Sequence, residues 1–295
     1  AVAQALNLPG GAASVLPSST GVIGWRLPAK ELAEEVIPKA VANLQSESAL
    51  NAAKAICTTD RYPKVRSKTL SSGARLVGIA KGAGMIEPNM ATMLSYVMTD
   101  AAFPRSSLQK MLSEAADQSF NSISVDGDES TSDTAVLLSS GLVEGTDEAE
   151  FREALMEVCK GLAADLVRNG EGTGHVMRVQ IANFPGNSLE ARRLGRHVVN
   201  SPLFKCAVAG NDPNTGRLAA AIGSFMGKFK DAESVKNMRL TLGGRVIFQK
   251  GKFVLEGQEV ENELSSHMKE AQYDEHSDYP PHQRFVEIGI DFGEG

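Results

Sequence analysis

Lys81-Gly-Ala-Gly-Met-Ile-Glu-Pro-Asn-Met-Ala-Thr-Met-Leu-Ser95 decides how this chain is read. Residues 75–80, just ahead of it, alternate like a strand and run into the turn Gly82-Ala-Gly84. Residues 93–98 are mostly apolar and read as a buried strand. Between these strands Thr92 directly follows the small residue Ala91. Gly82 and Gly84 permit unusual backbone angles upstream, and Pro88 stiffens the approach. A threonine held so attacks the carbonyl of the residue before it. Once that bond breaks, Thr92 is a chain N-terminus whose amine serves as base for its own hydroxyl. An arbitrary Ala-Thr pair is far more often an ordinary strand threonine, and the surrounding segment is what argues otherwise.

Outward from this segment, helical spacing predicts helices over 28–44, 48–56, 105–119, 147–168, 188–200, 216–223 and 259–272. Thr146 or Asp147 caps the longest of them, and Gly170 follows its end. Strands are expected at 14–16, 121–125, 134–139, 176–181, 239–241, 245–249, 253–255 and 286–292, with Gly243-Gly244 as a hairpin turn. Strands alternating with helices define a layered α/β class. The turn-rich residues 183–187 divide it into a core domain, 1–183, and a C-terminal α/β domain, 184–295.

A chain of 295 residues is long enough for a large core, and 42% apolar with 22% charged residues is an ordinary globular composition. The net charge of −6, with no block of Lys and Arg, excludes nucleic acid as a partner. Cys57, Cys159 and Cys206 are too few and too widely spaced for a disulfide framework or a zinc cage, so reduced intracellular thiols are expected. No window reaches the length of a membrane-spanning helix. The chain opens inside a helical pattern and closes on an alternating strand, so the natural protein is expected to continue at both ends.

Several further residues carry chemistry. In Ser18-Ser-Thr-Gly-Val-Ile-Gly24, Thr20 followed by Gly21 can aim a hydroxyl and a backbone N–H at one point, as in an oxyanion hole, although by itself the segment reads as a glycine turn before a helix. Lys81 is suited to a substrate carboxylate. Glu171, between Gly170 and Gly172, is suited to an α-amino group, although Gly-Glu-Gly is also an ordinary helix exit. Thr58-Thr-Asp60 reads by itself as a helix-terminal turn. Asp126, Asp128, Glu129 and Asp133 do not fit a calcium loop and read as turn and capping residues. His175 reads as a structural histidine. Neither glycine-rich loop matches a nucleotide motif.

Motifs in a fixed order carry a family resemblance: Ser19-Thr-Gly-Val-Ile-Gly24, Cys57-Thr-Thr-Asp60, Lys81-Gly-Ala-Gly-Met85, Pro88-Asn-Met-Ala-Thr-Met-Leu94, Ser124-Val-Asp-Gly-Asp128 with Ser130-Thr-Ser-Asp-Thr134, Asn169-Gly-Glu-Gly172, and Asn200-Ser-Pro-Leu-Phe-Lys205 with Gly210-Asn-Asp-Pro-Asn214. They span nearly the whole chain, which resembles the ornithine acetyltransferase, or glutamate N-acetyltransferase, family of arginine biosynthesis. The resemblance implies an αββα sandwich core with a second, smaller α/β lobe. It implies cleavage between Ala91 and Thr92, with Thr92 then taking the acetyl group from N-acetylornithine and passing it to glutamate. Thr20 and Gly21 match the oxyanion hole; Thr58, Lys81, Thr92 and Glu171 match substrate-binding positions. No cofactor and no metal is implied, and use of acetyl-CoA as a co-substrate stays open. The cleaved fragments are expected to pair as an α2β2 assembly. Thr215 stands where many members carry tryptophan, and the family's N-terminal region and substrate-binding C-terminal end are absent. Two other readings compete: a related threonine-nucleophile aminopeptidase or amidase, and an inactive truncated homologue.

Overall fold

The alternation on either side of the glycine-rich turn is realised as an antiparallel pair. The computed structural model describes residues 1–45, 48–87, 93–228, 232–274 and 279–293. Its N-terminal part holds α1 (Val2–Ala5), then α2 (Ala29–Glu31) and α3 (Ile37–Ala42) joined through the π-helical turn Leu32–Val36, then α4 (Leu50–Ala55). β1 (Lys64–Thr69), β2 (Arg75–Lys81), β3 (Leu94–Ala101) and β4 (Thr134–Val143) form a four-stranded sheet in that order. β1, β2 and β3 are antiparallel neighbours, and β4 runs parallel to β3.

Between β3 and β4 lies α5 (Arg105–Asp117), and after β4 comes α6 (Glu148–Arg168), capped by Asp147 as expected. Both helices pack on one face of the sheet. Leu76, Ala80, Val97 and Ala101 meet Phe151, Leu155, Val158, Leu162 and Leu166 of α6 and Met111 and Ala115 of α5 in one buried cluster. Gly78 makes this approach possible: a Cβ there would lie 2.8 Å from side-chain carbons of both Leu162 and Val158. Apolar burial of this kind contributes about 1.5–3 kcal/mol for each large side chain.

A second sheet has the order β5 (Met177–Ala182), β9 (Val286–Asp291), β6 (Arg239–Leu242), β7 (Arg245–Gln249), β8 (Lys252–Phe253). Around it lie α7 (Ser188–Val199), α8 (Pro202–Ala209), α9 (Thr215–Met226) and α10 (Gln258–Glu270), sharing a core that includes Leu194, Phe204, Leu218, Leu240, Leu264 and Ile288. Gly243 and Gly244 turn the β6–β7 hairpin with φ of 58° and 80°, the double left-handed conformation such a turn needs. Thr215 is buried in the first turn of α9, behind the cap Asn214.

The layered α/β class therefore holds, and several elements differ from the sequence reading. Residues 14–16 form no strand; Gly11–Ser14 is a 3-10 turn entered with Gly11 at φ 57°. Residues 121–125 form no strand either. Phe120–Ser122 is a 3-10 turn, Val125 N donates to Ile86 O at 2.7 Å, and the carbonyls at the two ends are taken by distant side chains, Arg196 donating to Asn121 O at 2.7 Å and Lys205 to Val125 O at 2.9 Å. β1 escapes a sequence reading because its helix-facing positions are charged. Arg66 makes a two-point pair with Asp165 of α6, 2.7 Å on each arm, and Lys68 pairs with Glu157. α8 is also an addition, although Ser201-Pro202 is a cap-and-first-turn pair, with Ser201 Oγ accepting from Leu203 N at 2.9 Å. β9 is an interior strand, parallel to β5 and antiparallel to β6. β5 precedes the turn at 183–187 yet belongs to the second sheet, so sheet membership changes in residues 169–176.

Candidate active site

Three loops meet at the end of β2: residues 57–62 after α4, residues 82–87 after β2, and residues 169–175 after α6. Asn169, buried at the end of α6, accepts through Oδ1 from the N–H groups of Arg61 at 2.9 Å and Tyr62 at 3.2 Å. The Tyr62 hydroxyl donates to the Asp165 carbonyl at 2.9 Å, which ties the first loop to α6. The third loop is tied to the second by Glu171 N donating to Ala83 O at 2.7 Å, and to the first by Thr59 Oγ1 donating to Glu171 Oε1 at 2.7 Å.

Asp60 is the hub of the first two loops. Its carboxylate accepts from Gly82 N at 2.8 Å, Thr58 N at 3.1 Å and the Lys64 ammonium. Neither side chain of the Asp60–Lys64 pair is exposed. Burial by itself would raise the Asp60 pKa, but the Lys64 hydrogen bond and charge and the two N–H donors outweigh it and hold it below the usual carboxylate range. Lys81, at the inner end of β2, is 3% exposed. Burial lowers its pKa, opposed by the Asp60 charge. Gly82 then turns the chain at φ 144°.

Carboxylates clamp the chain on both sides of residues 88–92. Asp126 accepts from Met85 N at 2.5 Å and Ile86 N at 3.0 Å, with Met85 held at φ 54°. Asp133 accepts from Met93 N at 2.7 Å, while Thr134 N donates to Met93 O at 3.0 Å where β3 and β4 begin. Asp126 and Asp133 are capping residues, as expected; that the capped groups bracket this segment is visible only in three dimensions. From the second sheet's side, Asn200 at the end of α7 joins Glu87 and Ser124 in a hydrogen-bonded trio, with Ser124 Oγ donating to Glu87 Oε2 at 2.7 Å.

The sequence-predicted residues are distributed as follows. Lys81 and Glu171 are brought to the same glycine turn. Thr58 is exposed and engages Asp60 through its N–H; it is the next residue, Thr59, that reaches Glu171. Thr20 is half-buried and Gly21 exposed. Their segment is anchored by a hydrogen bond between Ser18 Oγ and the Tyr96 hydroxyl, and Tyr96 stands opposite Ile79 in the β2–β3 pair, whose register ends at Lys81 and Leu94. Thr92 and Ala91, the cleavage pair, and Pro88 lie outside the described residues. His175 is structural in the sense expected: its Nε2 pairs with Asn211 Oδ1 at 3.0 Å, and burial lowers its pKa. It lines a cleft of about 1120 Å³ between α6 and the second sheet, with Glu171 on its rim. Two of the cleft's cations are engaged by the fold, Arg192 with Asp117 and Lys205 with the Val125 carbonyl.

The Asp133 pKa is raised to about 6, because burial outweighs the Met93 N–H and the Lys81 charge. A carboxylate with a raised folded-state pKa binds its proton more tightly in the folded state. Its ionisation therefore costs stability as pH rises from the unfolded value through about 6. With this side chain partly solvated, the cost is about 1 kcal/mol. Asp133→Asn keeps an acceptor for Met93 N and is expected to raise the thermal midpoint at pH 7.5 by about 2–4 °C. It should also flatten the fall in stability between about pH 4 and 6. A midpoint equal to or below wild type in pH-resolved calorimetry would refute this.

A layered α/β fold that gathers a buried lysine, a glutamate and a glycine turn ahead of a threonine-containing segment defines a narrow class. The chain belongs to the ArgJ family, which matches it over residues 1–295. It is 43% identical over 257 residues to the arginine biosynthesis bifunctional protein ArgJ of Nitratidesulfovibrio vulgaris, covering 85% of this chain and 63% of that one. It is 42% identical over 243 residues to the glutamate N-acetyltransferase Oat2 of Streptomyces clavuligerus, covering 82% and 59%. The crystal structure of the arginine biosynthesis bifunctional protein ArgJ from Bacillus halodurans matches with a TM-score of 0.57 at 31% identity, over 68% of this chain and 88% of that one. The chain thus spans about three-fifths of the length of the curated relatives it matches. No helix among the described residues is long and apolar enough to cross a membrane.

Proposed function

We propose that this chain belongs to an acetyltransferase that moves the acetyl group of N2-acetyl-L-ornithine to L-glutamate through an ester on Thr92. The observation that carries the reading is the convergence of buried Lys81 and of Glu171 on the glycine turn that leads into residue 92. The family names support it from outside the structure. In this reading the chain first cuts itself between Ala91 and Thr92. The Thr92 hydroxyl then attacks the acetyl carbonyl, and its own amine takes the proton and returns it to the departing ornithine nitrogen as the amide C–N bond breaks. The glutamate amine attacks the resulting ester and frees the hydroxyl. Thr20 Oγ and the Gly21 N–H stabilise the oxyanion, each donor being worth about 3 kcal/mol of barrier. Lys81 faces the carboxylate that donor and acceptor share, and Glu171 faces an amine. Thr58 completes the substrate contacts.

No cofactor enters these steps, and acetyl-CoA is a second donor to be offered in the same assay. The fragments on either side of the Ala91–Thr92 bond stay together and pair as α2β2 in a soluble compartment. The two lobes follow the two sheets.

Intact mass spectrometry of the full-length natural protein tests the core of this, before and after brief exposure to N-acetylornithine. Scission before Thr92 and an added acetyl group on the fragment that begins there are expected; an uncut chain without adduct refutes it. Acetate released in place of N-acetylglutamate when glutamate is supplied would identify an amidase instead. Lys81→Ala and Glu171→Ala are each expected to raise substrate KM by about tenfold or more, the scale of a lost charge-assisted contact. Steady-state kinetics unchanged in both would remove these roles.

A further inference from the structure

Glu171 is exposed, and an exposed glutamate ordinarily samples many rotamers, at an entropic cost of up to about 2 kcal/mol when it is fixed. Here one contact holds its backbone and two bear on its carboxylate. Its backbone N–H is bonded to Ala83 O at 2.7 Å. Its Oε1 accepts the Thr59 hydroxyl at 2.7 Å. Its carboxylate lies against Gly84, where a Cβ would sit 3.2 Å from both Cδ and Oε1 and 3.3 Å from Oε2. Gly84 is not in the left-handed region, so backbone conformation does not demand glycine there. A Cβ at this position would press on the carboxylate and displace it by a few tenths of an ångström. Among the described residues the hydrogen bond from Thr59 goes to Oε1, and the side chain as a whole stays exposed.

We propose that Thr59 and Gly84 are positioning residues that fix the Glu171 carboxylate and thereby set a preference for substrates carrying an ammonium group. This rests on the reading of Glu171 as the amine contact. Thr59 spans from the first loop to the third, and Gly84 supplies the floor from the second, so each of the three loops contributes one part of the anion's seat. The hydroxyl donates to a charged acceptor, which is the stronger kind of neutral-donor hydrogen bond.

The test uses the full-length natural protein and two donors, N-acetylornithine and N-acetylnorvaline, the second lacking the side-chain ammonium. Thr59→Val removes the hydroxyl while keeping the shape. It is expected to raise KM for N-acetylornithine about tenfold, the loss of one hydrogen bond to a charged group. It should leave kcat within about twofold and cut the preference over N-acetylnorvaline by the same tenfold factor. Thr59→Ser is expected to restore both. Gly84→Ala is expected to act in the same direction as Thr59→Val by displacing the carboxylate. A Thr59→Val enzyme with wild-type KM and preference overturns the proposal. So does a Thr59→Ser enzyme as impaired as Thr59→Val with a lowered thermal midpoint, since that is a structural effect. Glu171→Ala separates the two levels: if it leaves KM unchanged, the amine-contact reading falls and this inference with it. If it raises KM while Thr59→Val does not, this inference alone falls.

Discussion

Thr92→Ala is expected to leave one uncut chain and to take acetyl transfer to background. Cleavage needs a hydroxyl to attack the Ala91 carbonyl, and an alanine side chain has none. The same hydroxyl is the proposed acyl carrier, so both processes fail together. Loss of a nucleophile removes the covalent route, a drop on the order of 10⁴-fold or more in kcat. Thr92→Ser is the informative companion. It keeps the hydroxyl and is expected to cleave and turn over, more slowly because its χ1 is less restricted than that of a β-branched residue. A denaturing gel and an assay for N-acetylglutamate read both outcomes. A Thr92→Ala protein that still splits, or still transfers acetyl groups, would end the proposed mechanism. The clamps at Asp126 and Asp133 are untouched by either change, so the flanking backbone provides the same frame in both variants.

Asp60→Ala is expected to have the largest effect on stability, about 3–5 kcal/mol, because it strands a buried ammonium. Both side chains of the Asp60–Lys64 pair are inaccessible to solvent, so Lys64 cannot recover hydration by a small movement. The N–H groups of Gly82 and Thr58 lose their acceptor as well. For a chain of this size the thermal midpoint should fall by roughly 10 °C. Gly82 directly follows Lys81 at the end of β2, so KM is expected to rise in whatever fraction stays folded. Asp60→Ala with Lys64→Met tests the cause. Removing both charges and filling the space with an apolar chain should recover much of the loss, since a buried pair is dispensable to stability in a way that half a pair is not. Thermal unfolding of the two single variants and the double variant gives the coupling directly. Equal midpoints for Asp60→Ala and wild type would show that Lys64 finds another counter-charge. Asp60 is held below the usual carboxylate range, so its contribution is complete above the unfolded value of 3.8 and is lost as pH falls further.

Much of the fold is legible in the sequence because its elements carry strong periodic patterns. α6 has a clear apolar stripe and an Asp147 cap, and β2 and β3 are apolar enough to be read singly. β1 is not legible, because its core-facing positions are Lys64, Arg66 and Lys68, whose partners Asp60, Asp165 and Glu157 make charge acceptable there. Residues 121–125 mislead for the opposite reason. They look like a strand, yet Phe120–Ser122 closes a 3-10 turn, and Arg196 and Lys205, far along the chain, take the carbonyls of Asn121 and Val125. In the site, Lys81 and Glu171 stand out by their glycine settings. Thr59 does not, since only its distance to a glutamate 112 residues away distinguishes it from Thr58.

Order of residues alone was enough for the layered α/β class, the family and the glycine-flanked side chains, because local periodicity and contiguous motifs are properties of neighbours along the chain. Packing had to be seen before loops 57–62, 82–87 and 169–175 could be placed together. The same holds for Asp60 as the hub of the first two, and for Asp126 and Asp133 on either side of the segment between Glu87 and Met93. Those arrangements depend on where strands and helices from distant parts of the chain come to rest. A hydrogen bond across that packing leaves no mark on the residues beside it in sequence.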